Sequence, residues 1–404
     1  MPKHRTQKLT TTTAGDGFHG LTFDAVLNTL GYARDTCQIT EQDYTDILNF
    51  VNRKRGLLHV STARCRKIVY ILTSWRRFLG EFRTRNIDDV AAAVVELTTC
   101  DNKCGRPFSD SCIYDHIRVL KGFYSWMIAE GICTTITERQ LAEIHTPKTS
   151  DSKYTERDVL TVDQIRQIIS ACKTAEEKAM FATFYEGALR IGELGTLTWE
   201  QVEIRQTHVN LRICFKTGIT RQVPIITYQD YLKTWANIHG DVDPKSPVFT
   251  NRFGQPYNYA ALRKKLQCIG SRVGIRFAPH LIRHSRITHM VLEGIGKEIV
   301  GLICWGTVNA GELDRYAHLY GSVDTMILGH YGITVSDEKH AEPLSPVMCP
   351  QCGYLNPPGR MFCASCCTPL TTESMKEFEK LADEMTPRTM QKMMAMFIQS
   401  RKNP

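Results

Sequence analysis

The chain has 404 residues, 42% hydrophobic and 23% charged, with a formal net charge of +8 and a pI of about 8.7. That is the composition of an ordinary folded protein of two or three domains, and its basic excess favours a polyanionic partner. No apolar run approaches the ~18 residues a membrane-spanning helix needs, and the opening MPKHRTQKLTTTTAGDG lacks the apolar stretch of a secretory signal, so a membrane or secreted protein is not expected.

Residues 1–22 form a polar tail carrying Lys3, Arg5 and Lys8, too poor in apolar residues to bury a core. From 23 to 145 the apolar residues keep a helical period. Examples are Tyr44, Ile47, Leu48 and Val51, then Ile68, Ile71, Leu72, Trp75, Phe78 and Leu79, then Ile113, Ile117, Leu120, Tyr124 and Met127. A small helical bundle is expected there. Its polar faces are basic, and Arg53, Lys54, Arg55, Arg64, Arg66 and Lys67 are the candidates for contact with phosphates, which position a protein on a nucleic acid without reading sequence. Cys100 and Cys104 have no second pair nearby and read as loop cysteines.

Residues 146–158, rich in Ser, Thr and charge, read as a linker. Thr161 followed by Gln164 is a capping box that opens a second domain, 159–335. Arg190 follows a helix that ends at Gly187, with Glu193 three residues on. Val209, Leu211, Ile213 and Phe215 alternate with polar residues as a half-buried strand, Thr217-Gly218 suits a hairpin turn, and Arg221, Val223 and Ile225 continue into a second strand. Lys216 sits at the tip of that hairpin. Pro279 suits a helix start, which puts His280 in its first turn and Arg283 on the same face. Tyr316 comes 33 residues after Arg283. Two guanidiniums can each fork onto a phosphate, and a phenol beside them can attack it.

Near the carboxyl end, CPQCGYLNPPGRMFCASC places Cys349, Cys352, Cys363 and Cys366 at the spacing of a zinc ribbon, 345–370. Four thiolates close a tetrahedron, so the Zn2+ would be structural; Gly353 and Gly359 allow the tight turns, and Cys367 is a spare thiol. Residues 371–404 read as a Met-rich amphipathic tail that packs within the chain or on a neighbouring subunit. Most other cysteines (Cys65, Cys112, Cys172, Cys214, Cys268, Cys304) stand singly in apolar patterns and read as reduced and buried, which with the metal-like set points to a reducing compartment, the cytoplasm.

These motifs resemble those of the tyrosine recombinase (phage integrase) family, most of all archaeal-type integrases of mobile elements that end in a zinc ribbon. The resemblance covers about residues 25–370. It implies a mainly α chain: a helical, SAM-like core-binding domain that clamps DNA, a mixed α+β catalytic domain with a small antiparallel sheet, and the ribbon. It implies that Arg190, Lys216, His280, Arg283 and Tyr316 are catalytic, with Glu193 supporting the site's structure. The family carries a His or Trp about ten residues before the tyrosine; Trp305, eleven before Tyr316 in a swapped Cys304-Trp305-Gly306 context, is the candidate. The implied activity is site-specific recombination or integration of double-stranded DNA at attachment sites, by a homotetramer, through a 3′-phosphotyrosyl intermediate, without ATP or a catalytic metal. A type IB topoisomerase-like nicking–closing enzyme and a DNA-binding regulator that has lost catalysis are the alternatives.

Overall fold

The computed structural model describes residues 18–101, 105–147, 159–214, 220–240, 243–320, 346–357 and 360–383. Lys216, Cys104, Gly359, most of the amino-terminal tail, most of the linker and the tail beyond Asp383 lie outside the described residues. The chain divides into two units, Met1–Lys153 with Tyr257–Ala260, and Tyr154–Pro256 with Ala261–Pro404.

The first unit is helical: α1 (Phe23–Asp35), α2 (Glu41–Leu58), α3 (Thr62–Leu79), α4 (Ile87–Thr99), α5 (Asp110–Ala129) and α6 (Glu138–Glu143). Local side chains fix where they begin. Thr40 with Asp43, Asn86 with Asp89, and Thr137 with Gln140 form reciprocal capping boxes, and Thr22, Ser61 and Ser109 cap α1, α3 and α5, satisfying backbone N–H groups that have no partner inside the helix. Trp75, Phe82, Phe123 and Tyr124 fill the core. Their polar atoms are satisfied there: the Trp75 indole donates to the His116 carbonyl at 3.0 Å, and the Tyr124 hydroxyl donates to the Phe82 carbonyl at 3.0 Å.

The second unit opens with α7 (Val162–Ser170), boxed by Thr161 and Gln164, and α8 (Ala175–Glu186). Then come the short α9 (Ile191–Gly195) and an antiparallel sheet, β1 (Val202–Ile204), β2 (Val209–Cys214) and β3 (Thr220–Ile225), in the order β1-β2-β3. Four helices follow, α10 (Gln229–His239), α11 (Tyr259–Ser271), α12 (Pro279–Leu292) and α13 (Lys297–Trp305), and a 3-10 segment, Gly311–Tyr320. A two-stranded ribbon, β4 (Val347–Met348) and β5 (Leu355–Asn356), and α14 (Thr372–Asp383) complete it. The buried Glu186 carboxylate at the end of α8 accepts the backbone N–H groups of Ile226, Thr227 and Tyr228 at 2.7, 2.6 and 2.9 Å. It thereby ties the end of β3 and the entry to α10 onto α8. Burial pushes its carboxyl above the usual carboxylate range, against the pull of Arg286 and these three donors.

Two of the cysteines expected in the core are not there. Cys214 closes β2 on its outward face and Cys268 lies on the solvent side of α11; Cys112 is half-buried, and Cys65, Cys172 and Cys304 are buried.

Candidate active site

Arg190 owes its place to a strained turn. After α8 the backbone passes through Ala188 at φ 44°, a left-handed conformation that costs an L residue about 1 kcal/mol or more. Arg190 then becomes the N-cap of α9, and Glu193 closes the box: its carboxylate accepts the Arg190 backbone N–H at 2.7 Å and the Arg190 guanidinium at 3.0 Å. Arg190 keeps 30% of its side chain exposed while Glu193 keeps 10%. The acid is the buried support and the arginine is the group that faces outward.

Arg283 is 4% exposed, on α12. Its guanidinium donates to the Ala188 carbonyl in the strained turn and, at 2.7 Å, to the Cys304 carbonyl at the end of α13. It lies 5.0 Å over the Trp305 ring, a cation–π contact worth more where water is excluded. Burial pushes this guanidinium down to about 10, helped by repulsion from Arg190 and Arg221 and opposed by Cys304 and Glu193. It remains charged at neutral pH, and the same electrostatics put Arg190, Arg221 and Glu193 around it.

Tyr316 sits on the 3-10 segment and is 1% exposed, packed with Ala188, Ile287, Val300, Cys304 and Leu313. Its hydroxyl is hydrogen-bonded to Nδ1 of His284, and the two rings stack at 6.2 Å with 29° between planes. His284 was not among the expected site residues. His280 was, as a catalytic residue; it is exposed in the first turn of α12, its ring 6.4 Å from that of His284. Burial, then the charges of His280 and Arg283, push the His284 imidazole down to about 4, so at neutral pH its ring is uncharged.

The basic face of the first unit is less free than its sequence implies. Arg53 pairs with Glu130, and Arg64 and Lys67 share Asp115. Lys54 lies over the Phe50 ring at 5.2 Å and Arg55 over Phe23 at 4.0 Å, and Arg66 is exposed. The acids that neutralise these cations sit 48 to 77 residues away in the chain. Pairs exposed in this way are worth little.

Cys349, Cys352, Cys363 and Cys366 bring their sulfurs within 4.8 Å of one another, with Cys349–Cys366 at 3.5 Å and Cys352–Cys363 at 3.6 Å. The donor set fits a tetrahedral thiolate-bound metal. Two knuckles shape it. Gly353 follows one Cys pair at φ 69° and Cys367 follows the other at φ 59°, donating its N–H to the Cys363 carbonyl at 2.9 Å. Cys367 is therefore a turn residue as well as a fifth thiol. The Asn356 amide donates to the Cys363 sulfur at 3.5 Å. The Tyr354 hydroxyl donates to Asp230, holding the ribbon against α10.

Residues 158–321 match the model of the phage integrase family. Transposase A from transposon Tn554 of Staphylococcus aureus is 28% identical over 149 residues, 32% of this chain and 40% of that protein, so the chain spans less than half the length of this relative. Tyrosine recombinase XerC of Xylella fastidiosa is 24% identical over 261 residues, 62% of this chain and 83% of that one. Among solved structures, the Tn1549 transposon integrase in complex with a circular intermediate DNA superposes with a TM-score of 0.51 at 14% identity, covering 71% of this chain and 99% of that one. XerH site-specific recombinase bound to difH substrate superposes with 0.51 at 13% identity, covering 76% and 93%. At these identities the structural likeness is one of fold. Among the described residues no helix is long and apolar enough to cross a membrane.

Proposed function

Because the chain belongs to the phage integrase family of tyrosine recombinases, we propose that it is a site-specific DNA recombinase that cuts and rejoins DNA through Tyr316. The observation that carries this reading is the gathering of Arg190, Glu193, Arg283, Trp305 and Tyr316, spread over 127 residues of sequence, around one corner of the second unit.

In this mechanism Arg190 and Arg283 hold the scissile phosphate and stabilise the charge that builds on its non-bridging oxygens, as donors preset for a transition state do. The Tyr316 oxygen attacks phosphorus, the bond to the 5′-oxygen breaks, and a 3′-phosphotyrosyl bond forms. The phenol proton passes to the imidazole in contact with it, His284, and Lys216 protonates the leaving 5′-oxygen. His280, exposed at the start of α12, faces the DNA side. Reversal onto a partner strand rejoins DNA with no ATP and no catalytic metal. At 1% exposure Tyr316 does not reach an exposed phosphodiester from its resting position, so DNA binding must turn the 3-10 segment and bring the phenol outward. Exchange between two duplexes requires four cuts, hence a homotetramer on double-stranded attachment sites, in the cytoplasm. The helical unit would clamp the duplex through its basic face, and one structural Zn2+ would be held by Cys349, Cys352, Cys363 and Cys366.

The test is covalent capture on a pool of nicked duplexes with randomised sequence around the nick, in which the short fragment between cut and nick, bearing the new 5′-hydroxyl, diffuses away and leaves the intermediate trapped. Wild type yields an SDS-stable DNA adduct and Tyr316→Phe yields none; an adduct of equal yield in the variant contradicts the reading. Relaxation of supercoiled plasmid without strand exchange would favour the nicking–closing alternative.

A further inference from the structure

Arg221 is a fully buried cation beside this site to which the mechanism gives no task. It lies on β3, opposite Ile213 of β2, in phase with the buried Val223 and Ile225. An arginine on the inward face of a strand is costly unless it is paired; here the two terminal nitrogens are paired and Nε is left without a hydrogen-bond partner among the described residues. Its side chain is 0% exposed. One guanidinium nitrogen donates to Glu193 Oε2 at 2.5 Å, and another donates to the Ile303 carbonyl in α13. Burial lowers its basicity, and the Glu193 carboxylate is the chief charge that holds it protonated.

The two contacts reach the two halves of the site. Glu193 is the residue that fixes the Arg190 backbone and guanidinium at 2.7 and 3.0 Å. Ile303 is followed by Cys304, whose carbonyl holds Arg283 at 2.7 Å, and by Trp305, on which Arg283 lies. Without Arg221, the Glu193 carboxylate would be free to rotate toward solvent with Arg190, and α13 would lose its polar tie to the sheet.

We infer that Arg221 is a positioning residue that couples the two phosphate-holding arginines, setting Arg190 through Glu193 and the Arg283 carbonyl partner through α13. It does not touch DNA. The inference rests on the recombinase reading above. A planar fork with donors on separate nitrogens is needed to bridge a carboxylate and a carbonyl; a lysine supplies the charge but not both directions.

The experiment is single-turnover adduct formation on a duplex recovered from the wild-type capture, with DNA affinity measured separately on Tyr316→Phe backgrounds. Arg221→Met is expected to lower the adduct rate about 100-fold, the scale on which a misplaced catalytic group costs rate, with DNA affinity within about threefold of wild type. Arg221→Lys is expected to fall between. Glu193→Gln should lower the rate, and adding it to Arg221→Met should lower it little further, because the two act through one linkage. A rate within about threefold of wild type in Arg221→Met, or fully multiplicative losses in the double variant, overturns the inference. So does a loss of DNA affinity equal to the loss in rate. If Arg221→Met does not fold, the Arg221→Lys rate and its coupling to Glu193→Gln decide by the same criteria. If wild type itself forms no adduct, the recombinase reading fails rather than this one.

Discussion

The Tyr316 hydroxyl and Nδ1 of His284 are hydrogen-bonded inside the second unit, 32 residues apart in the chain. The imidazole is held neutral by burial, so one of its ring nitrogens is unprotonated, and Nδ1, in contact with the hydroxyl, can take the phenol's proton. Replacing His284 by Phe keeps the ring packing but removes the acceptor. Adduct formation should then fall by about 100-fold, at the low end of what a positioned general base contributes. His280→Phe should weaken DNA affinity more than it changes the rate on bound DNA. The check is the rate of adduct formation at saturating protein for the two variants; equal losses at the chemical step would assign the proton to both rings.

His289, also on α12, is a buried imidazole with Nδ1 2.7 Å from the Tyr185 hydroxyl. Burial, then Arg286, pushes it down to about 4, as burial does His284. Both rings ordinarily titrate at 6.5. As pH falls below about 6.5 the unfolded chain takes up protons that the folded chain refuses, so stability falls from there toward pH 4, where the folded imidazoles also protonate. The urea midpoint should be flat above pH 6.5 and decline between 6.5 and 4. His289→Gln should make that decline shallower.

Gly301 lies in α13, and a Cβ there would meet the Thr307 carbonyl at 2.5 Å. Alanine gains about 1 kcal/mol of helix propensity over glycine, but the clash is with backbone and forces the 306–310 turn away. The clash should win: Gly301→Ala is expected to cost about 1–3 kcal/mol net, read from denaturant unfolding. It should slow adduct formation as well, because the same turn leads into the segment that carries Tyr316.

The ribbon offers a stabilising change. Cys367 holds φ 59°, the conformation that Gly353 adopts at the matching knuckle. Cys367→Gly should relieve about 1 kcal/mol of backbone strain, and slow the loss of zinc to a chelator by roughly fivefold, followed with a colorimetric zinc indicator. Cys363→Ser should leave less than one zinc per chain. It should also release the Tyr354–Asp230 contact, seen as faster hydrogen exchange in Leu355–Asn356 and α10.

Much of this architecture is written locally. Thr40 with Asp43 and Thr161 with Gln164 mark helix starts that the structure places at Glu41 and Val162, because a capping box is decided within four residues. The alternation of Val209, Leu211 and Ile213 sets the face of β2 for the same reason. What depends on distant packing was harder to read. Three histidines follow Pro279 within α12, at 280, 284 and 289, and which of them meets Tyr316 is set by how the 3-10 segment folds back. The pairing of Arg64 and Lys67 with Asp115 is likewise invisible in a local charge count. Arg221 carried a signal that could have been used: it keeps the period of Val223 and Ile225, and a charge on the apolar face of a strand implies a buried partner.

The most direct measurement is the site of covalent attachment. The trapped protein–DNA adduct is digested with nuclease and protease and the nucleotide-bearing peptide is sequenced by tandem mass spectrometry. The account predicts a single 3′-nucleotidyl peptide modified on Tyr316. Modification of Tyr320, Tyr331 or any other residue in place of Tyr316 would contradict it.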